Sequence, residues 1–286
     1  MFGLLGPNGA GKTTAISTIA TLLEPDSGEV RVGGRDVRRE APAVRRLLGL
    51  VPQEIGLYPT LSAWENLEYF GGLYGLRGRT LRQRIGEMLE IVGLERHAKK
   101  PNAGEFSGGM QRRLNLAAGL MHKPRLLLLD EPTVGVDPQS RNYIFENVLR
   151  LNREEGMTVL YTTHYMEEAE ALCDRVAIMD HGRVVACDTV KALVSSLAGT
   201  VFRIALAEAS DRFERALALR PGVLEVNRYR NNHYQVVAVD QQQGLAALME
   251  VAGEQRMRLA SLDVSSPNLE QVFLKLTGKA LRDGAP

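Results

Sequence analysis

Short apolar runs alternate with longer amphipathic segments over roughly the first two thirds of the chain. Each apolar run has the length of a strand, and the segments between them repeat apolar positions at helical spacing. The runs that predict strands are Phe2–Leu5, Leu48–Val51, Leu126–Leu129, Val159–Thr162 and Val176–Met179. Because strands that alternate with helices usually form a parallel sheet, this pattern predicts an α/β fold with a parallel-sheet core.

The stretch from about residue 62 to about residue 122 contains no convincing strand. Ser62–Tyr74 and Leu81–Val92 have helical spacing instead. The pattern therefore predicts a helical subdomain inserted between strands of the sheet.

Beyond residue 199 the pattern changes to strand, helix, strand, strand, helix and strand, followed by a helix over about Asn268–Leu276. Asn231 and Asn232 separate two of these strands, and Asn suits a hairpin turn because it tolerates a positive φ. We therefore predict two domains, 1–198 and 199–286, the second a small α+β domain. Its expected strands are Val201–Ala207, Leu224–Tyr229, His233–Val239 and Leu259–Val264, and its expected helices are Phe213–Leu219 and Gly244–Ala252.

Composition excludes several classes of protein. The 286 residues carry a net charge of +1, so binding of nucleic acid through bulk charge is disfavoured. No run approaches the roughly 18 apolar residues that span a membrane, and the first residues do not resemble a signal peptide. Two cysteines, Cys173 and Cys187, cannot build a disulfide framework, which indicates a reducing, cytoplasmic compartment.

A glycine-rich loop follows the first strand and precedes a helix, which is the context that a phosphate-binding P-loop requires. Its residues are Gly6, Pro7, Asn8, Gly9, Ala10, Gly11, Lys12, Thr13 and Thr14. The glycines allow backbone N–H groups to surround phosphate oxygens, Lys12 supplies a cation for the β- and γ-phosphates, and the Thr13 hydroxyl is suited to ligate Mg²⁺. The loop predicts a P-loop NTPase with a site for the phosphates of a nucleotide and for Mg²⁺.

Asp130 and Glu131 follow the apolar run Leu126–Leu129. A buried parallel strand delivers its last residue to the edge of the sheet beside the phosphate loop, where Asp130 can serve the metal. Glu131 can orient or deprotonate the water that attacks the γ-phosphate. Taken alone, an Asp-Glu pair at the end of a strand more often lies in an ordinary solvated turn. The phosphate loop upstream favours a role in the chemistry instead.

Five motifs in order resemble the ATP-binding cassette (ABC) ATPases over residues 1 to about 195. They are Gly6–Thr14, the segment around Gln53, Phe106–Gln111, Leu126–Pro132 and Thr162–His164. Four further segments resemble the daunorubicin-resistance type of exporter ATPase. Three of them start at Val51, Asp137 and Thr163, and the fourth is Leu269–Gly278. That resemblance implies the ATP-hydrolysing subunit of an ABC-2-type exporter, with drug or multidrug efflux as one reading.

The resemblance also implies roles for individual residues. Gln53 would contact Mg²⁺ or the attacking water, and His164 would contact the γ-phosphate. Ser107, Gly108 and Gly109 precede the helical run Arg112–Met121, which Ser107 can cap. The resemblance implies that this helix end binds the γ-phosphate held by the opposite subunit and that Asp137 lies in a dimer-contact loop. Two copies would then sandwich two ATP molecules, bind a separate membrane permease and lie on the inner face of the cell membrane.

Two other functions are compatible with part of the sequence. One is a soluble ABC ATPase that acts on a macromolecule such as the ribosome or DNA, although a second cassette, a zinc module and a long coiled coil are not visible. The other is a nucleotide-binding module without turnover, which Lys12, Asp130, Glu131 and His164 argue against. Members of the family normally carry strands and an adenine-stacking aromatic residue before the phosphate loop. Either Met1 lies inside a longer protein or the domain is shortened, and we favour the first of these two expectations.

Overall fold

The chain divides into two compact units in a computed structural model that describes residues 1–197, 199–265 and 268–277. The first unit comprises Met1–Thr189 and the second begins at Val190. The boundary therefore falls one short helix before the predicted position at 198/199. Residue 198 and residues 278–286, which we assigned to the ends of the two predicted domains, lie outside the described residues.

The first unit contains a six-stranded sheet and a two-stranded hairpin. In chain order the strands are β1 (Phe2–Leu5), β2 (Arg31–Val32), β3 (Arg35–Asp36), β4 (Leu48–Val51), β5 (Leu126–Asp130), β6 (Thr158–Thr163), β7 (Arg175–Asp180) and β8 (Arg183–Thr189). The large sheet has the order β4-β5-β6-β1-β7-β8, in which only β8 runs antiparallel. The predicted parallel-sheet core is confirmed.

Helices cover the sheet and fill the segment between β4 and β5. They are α1 (Lys12–Ile19), α2 (Ala41–Leu47), α3 (Ala63–Leu73), α4 (Gly78–Ile91), α5 (Gly108–Leu120), α6 (Pro138–Arg153) and α7 (Met166–Leu172). Two short 3₁₀ turns, Glu95–His97 and Ala103–Glu105, lie between α4 and α5. The predicted helical insert is thus confirmed as α3, α4 and α5, and a capping box between Ser62 and Glu65 starts it.

Parallel pairing brings the ends of four strands to one edge of the sheet. Leu5 of β1 pairs with Thr163 of β6, and Asp130 of β5 pairs with Thr162. Val51 of β4 is in register with Leu129. Because all four strands run the same way, the loops that leave their carboxyl ends lie together, and ligand sites of open α/β sheets form at such an edge.

Burial explains why β5 has no polar position before its end. Leu127, Leu128 and Leu129 are each 0% exposed, since helices lie on both faces of the central strands. Within the described part of the chain, no helix combines the length and the hydropathy that crossing a bilayer requires.

The second unit is a four-stranded antiparallel sheet with helices, and after one short helix that the sequence analysis did not place in this domain its elements follow the predicted order. Its elements are α8 (Val190–Ser195), β9 (Thr200–Leu206), α9 (Asp211–Ala218), β10 (Val223–Arg230), β11 (His233–Ala238), α10 (Gln241–Glu254), β12 (Leu259–Ser265) and α11 (Leu269–Thr277). The strand order is β10-β11-β9-β12. Phe202, Phe213, Tyr234 and Leu248 are fully buried and form the centre of a core that belongs to this unit alone.

Candidate functional site

The predicted phosphate loop connects β1 to α1 in a conformation that depends on its glycines. Gly9 and Gly11 have φ values of 79° and 99°, a region that side chains disfavour. A Cβ at Gly6 would lie 2.4 Å from the carbonyl oxygen of Met179, so only glycine fits there. In this loop Gly6, Pro7, Ala10 and Lys12 are buried, whereas Asn8, Gly9, Thr13 and Thr14 are exposed.

Lys12, the first residue of α1, turns its side chain back into the loop. Its Nζ donates to the carbonyl oxygens of Gly6 at 2.7 Å and Pro7 at 3.1 Å. The same Nζ lies 3.0 Å from Oε1 of Glu131, and the two side chains are only 4% and 5% exposed. A buried ammonium is costly unless it is paired, so Glu131 stabilises Lys12 in this position.

Glu131 is positioned by the backbone where β5 ends. Its φ is 45°, in the left-handed region, and its N–H donates to Oγ1 of Thr162 at 2.9 Å. The same hydroxyl donates to Oδ1 of Asp130 at 2.6 Å. A non-glycine residue keeps this conformation only where its surroundings stabilise it, and the hydrogen bond to Thr162 on the neighbouring strand does so.

His164 completes the cluster from the end of β6. Its Nδ1 lies 3.0 Å from Oε2 of Glu131, so Lys12 and His164 each face one oxygen of the same carboxylate. A Cβ built at Gly9 would meet no atom within 4 Å, so the space beside the loop is open. The arrangement can present a cation and backbone N–H groups to a phosphate, and a carboxylate to a water molecule beside it.

The residues assigned to the metal offer only oxygen ligands at this edge of the sheet: the hydroxyl of Thr13, the amide of Gln53 and the carboxylate of Asp130. Asp130 is 2% exposed, whereas Thr13 and Gln53 are exposed. Among the described residues, no group of three or more His, Cys, Asp or Glu side chains could hold a metal by itself. Mg²⁺ needs no such group, because it binds through one or two protein oxygens together with substrate phosphates, so this donor set fits it.

Ser107, Gly108 and Gly109 lie at the start of α5, where the Ser107 side chain accepts a hydrogen bond from the N–H of Met110 at 3.3 Å. A Cβ at Gly109 would lie 2.1 Å from Oγ of Ser140, at the start of α6. Glycine is therefore required for the close approach of the two helix N-termini.

Asp137 caps α6 by accepting from the N–H of Ser140 at 2.9 Å. That N–H also holds the pKa of the Asp137 carboxyl below its usual value, so the group is charged at neutral pH. Gly109 approaches the same cap, since its Cβ would lie 2.8 Å from Oδ2 of Asp137.

The described residues thus contain two separate groups of predicted site residues. The first group lies at the carboxyl ends of β1, β5 and β6 and comprises Lys12, Asp130, Glu131 and His164. The other phosphate-loop residues belong to the same group. Gln53 follows β4 at the same edge. Ser107, Gly108 and Gly109 lie at the start of α5 instead, where Gly109 approaches the start of α6.

Sequence reasoning missed three residues that hold this site. Thr162 joins Asp130 to Glu131, and the N–H of Gly182 donates to the carbonyl oxygen of Ala10 at 3.0 Å. Glu168, which is 3% exposed, accepts a hydrogen bond from Oγ1 of Thr163, the residue before His164. Strand pairing in register could have indicated Thr162. Gly182 and Glu168 depend on the fold, because neither has a sequence pattern that separates it from a surface residue.

Comparison with known proteins gives a consistent result. The family model for the ABC transporter matches residues 1–134. The chain is 47% identical over 284 residues to the linearmycin resistance ATP-binding protein LnrL of Bacillus subtilis, with 99% of this chain and 91% of the relative covered. It is 40% identical over 286 residues to the daunorubicin/doxorubicin resistance ATP-binding protein DrrA of Streptomyces peucetius, with coverages of 99% and 86%.

A Nod factor export ATP-binding protein I from a Rhizobium species is 37% identical over 280 residues, with 98% of this chain and 88% of that protein covered. Among solved structures, the ATP-binding cassette MJ0796, described as a dimer in a post-hydrolysis state bound to ADP and Pi, superposes with a TM-score of 0.61 at 30% identity. The match covers 66% of this chain and 84% of that one. CbiO1 from Clostridium perfringens, part of the ABC transporter complex cbiONQ, gives 0.61 at 27% identity and covers 68% of this chain and 78% of its own.

Proposed function

The chain belongs to the ATP-binding proteins of ABC transporters, and we propose that it hydrolyses ATP at the Lys12–Glu131–His164 cluster to power export through a separate membrane permease. The observation that carries the site assignment is the shared carboxylate: Glu131 lies 3.0 Å from Lys12 on one side and 3.0 Å from His164 on the other. A buried carboxylate at the mouth of a phosphate loop has the position that a base for the attacking water needs.

Each residue of the cluster then has a defined task. The ammonium of Lys12 and the loop N–H groups bind the phosphates and offset their negative charge. Glu131 accepts a hydrogen bond from the attacking water and takes its proton as the water oxygen bonds to the γ-phosphorus, while the bond from that phosphorus to the bridging oxygen breaks and ADP leaves. His164 holds Oε2 of Glu131, which leaves the other carboxylate oxygen for the water once the phosphates compete for Lys12.

We assign the Mg²⁺ site to Thr13, Asp130 and Gln53. Held by these oxygens, Mg²⁺ would offset the negative charge of the nucleotide phosphates. Thr162 keeps Asp130 at the edge of the sheet by donating to Oδ1, and leaves the second carboxylate oxygen for the metal.

ABC cassettes form dimers, and we propose for this chain a homodimer that encloses ATP between two copies. The support is the separation of the two groups of site residues. Ser107 and Gly108 are exposed at the N-terminus of α5, whose free N–H groups favour an anion. A second copy would place this helix end opposite the phosphate loop of the first, and Asp137 would lie at the contact.

The export role follows from the relatives, which are named for resistance to linearmycin and to daunorubicin/doxorubicin and for export of Nod factor. We propose that this chain likewise serves efflux, that it docks on the cytoplasmic face of a permease at the inner surface of the cell membrane, and that the permease selects the cargo. The balanced charge of +1 supports a protein partner rather than nucleic acid.

Glu131→Gln tests the central assignment, because glutamine keeps the shape and one acceptor but cannot take a proton. We expect steady-state hydrolysis to fall about 100-fold or more, since a general base contributes that much. ATP binding should persist, and size-exclusion chromatography with ATP and Mg²⁺ should show a stable dimer.

Glu167→Gln is the matched control for this experiment, because Glu167 is an exposed carboxylate on α7 and should leave turnover unchanged. Normal hydrolysis by the Glu131→Gln variant would refute Glu131 as the base.

A further inference from the structure

A buried carboxylate lies behind the cluster and uses both of its oxygens. Glu168 of α7 is 3% exposed, whereas the preceding residue of the same helix, Glu167, is exposed. Oε1 accepts a hydrogen bond from Oγ1 of Thr133 at 2.7 Å. Oε2 accepts from the hydroxyl of Tyr161 at 2.9 Å and from Oγ1 of Thr163 at 2.8 Å.

Two of the three donors belong to the segments that carry the reacting groups. Thr133 lies two residues beyond Glu131, in the loop after β5, and Thr163 directly precedes His164. Oγ1 of Thr163 also accepts from the N–H of Tyr165 at 2.9 Å, so the backbone on both sides of His164 is held. The third donor, Tyr161, lies within β6 and is fixed by the sheet itself.

Donor groups surround the carboxyl group of Glu168. Three hydroxyl groups donate to it, and Nε of Arg141 lies 3.9 Å from Oε1. The guanidinium of Arg141 in turn lies 5.5 Å from the centre of the Tyr165 ring. Burial and the charge of Glu168 raise the pKa of Tyr161 well above its usual value, so its hydroxyl stays protonated and donates.

We propose that Glu168 is a positioning residue for hydrolysis: by joining Thr133 to Thr163, it sets the loop after β5 against the end of β6 so that Glu131 and His164 meet. The inference rests on the proposed roles of those two residues. The 3.0 Å contact between Nδ1 of His164 and Oε2 of Glu131 crosses from one strand end to the next, and Glu168 links the two backbones that carry it. Displacement of a reacting group by about 1 Å can cost roughly 100-fold in rate.

Three single-hydroxyl deletions separate positioning from stability. Thr133→Val and Thr163→Val each remove one hydrogen bond to Glu168 from a segment that carries a reacting group, whereas Tyr161→Phe removes one from inside the strand. We expect the two valine variants to lower kcat about tenfold with KM for ATP within about twofold of the parent, because misplacement affects the reaction and not the ground-state binding of phosphate. Tyr161→Phe should keep kcat within about twofold.

Thr133→Ser and Thr163→Ser are the matched controls, because they keep the hydroxyl and remove only the methyl group. The serine variants should keep kcat within about twofold of the parent's value. Thermal unfolding of every variant is recorded in the full chain, so that the kcat comparison uses folded protein at one temperature.

Two results would overturn the proposal: parental kcat in both valine variants, or equal losses in the serine and valine variants, which would assign the effect to packing. Glu131→Gln, assayed alongside, separates this inference from the proposed function. If Glu131→Gln is inactive and the valine variants are normal, only the role of Glu168 fails; if Glu131→Gln turns over normally, the site assignment fails first.

Discussion

At the scale of single residues, buried charge explains the arrangement of the site. Lys12 is 4% exposed and would be unfavourable there without the carboxylate of Glu131 at 3.0 Å. The pair costs desolvation to form, but it prevents either group from being left as an unpaired buried charge at the position where a phosphate binds. This gives Lys12 two roles that substitution can separate, one in nucleotide binding and one in stability.

Lys12→Ala should abolish detectable ATP binding in calorimetry, because the cation that faces the phosphates is lost. It should also lower the unfolding temperature, since removing one partner of a buried pair costs about 3–5 kcal/mol. Adding Glu131→Gln to Lys12→Ala removes the unpaired charge and should restore part of the stability but none of the binding. ATP affinity equal to the parent's in Lys12→Ala would contradict the phosphate-loop assignment.

At the scale of elements, the helical insert is joined to the sheet by a histidine that must stay neutral. His122, just beyond α5, stacks on Tyr74 at the end of α3 with a centroid distance of 3.6 Å. Its Nε2 lies 2.9 Å from the carbonyl oxygen of Leu48, to which it donates when neutral in the Nε2–H form. Its Nδ1 is buried without a hydrogen-bond partner among the described residues, so a proton there would be unfavourable.

This burial lowers the pKa of His122 below its usual 6.5, with the bond to Leu48 opposing the shift. A base whose pKa is lowered by folding binds its proton more readily when unfolded, so its contribution to stability is present above about pH 6.5 and is lost as the pH falls below that value. We expect the unfolding temperature to fall between pH 7.5 and pH 5.5, because this group lowers the free energy of unfolding by at most about 1.4 kcal/mol per pH unit.

His122→Phe should keep the stacking, lose the bond to Leu48 and show a weaker pH dependence over the same range, as measured by thermal unfolding at both pH values. An identical pH dependence in the two proteins would refute a role for His122.

At the scale of the whole molecule, the chain has two units with separate cores. The core of the second unit is built from Phe202, Phe213, Tyr234 and Leu248, and every residue assigned to nucleotide chemistry lies in the first unit. We therefore hypothesise that the second unit is dispensable for the chemistry and serves regulation or dimer stability.

Phe202→Ala should destabilise the second unit by about 3–5 kcal/mol, the usual cost of truncating a buried Phe, while ATP affinity of the full chain stays at the parental value. Calorimetric unfolding should show one transition moved to lower temperature and one unchanged. Leu128→Ala, in the core of the first unit, is the matched control and should move the other transition. Loss of ATP binding in Phe202→Ala at a temperature where both units are folded would contradict the division of tasks.

The sequence by itself determined the parallel-sheet core, the helical insert and the element order of the second unit. It did so because the signals are local: apolar runs of strand length, helical spacing, and a glycine loop between a strand and a helix. The sequence also predicted the site residues: Lys12 from the phosphate-loop motif, Asp130 and Glu131 from their place at the end of a buried parallel strand, and His164 from the family resemblance. Short or exposed elements were missed, including β2, β3, α2 and the antiparallel edge strand β8.

Only the tertiary structure decided how the site residues are held. In the sequence, nothing distinguishes Glu168 from the other glutamates of α7. Its burial follows from the packing of α7 on β6. The glycine at 109 reads as part of a loop, and its necessity comes from Ser140 on another helix. The physical reason is the same in both cases: local pattern predicts which face of an element is buried, whereas hydrogen bonds and close approaches between elements distant in sequence depend on how those elements pack.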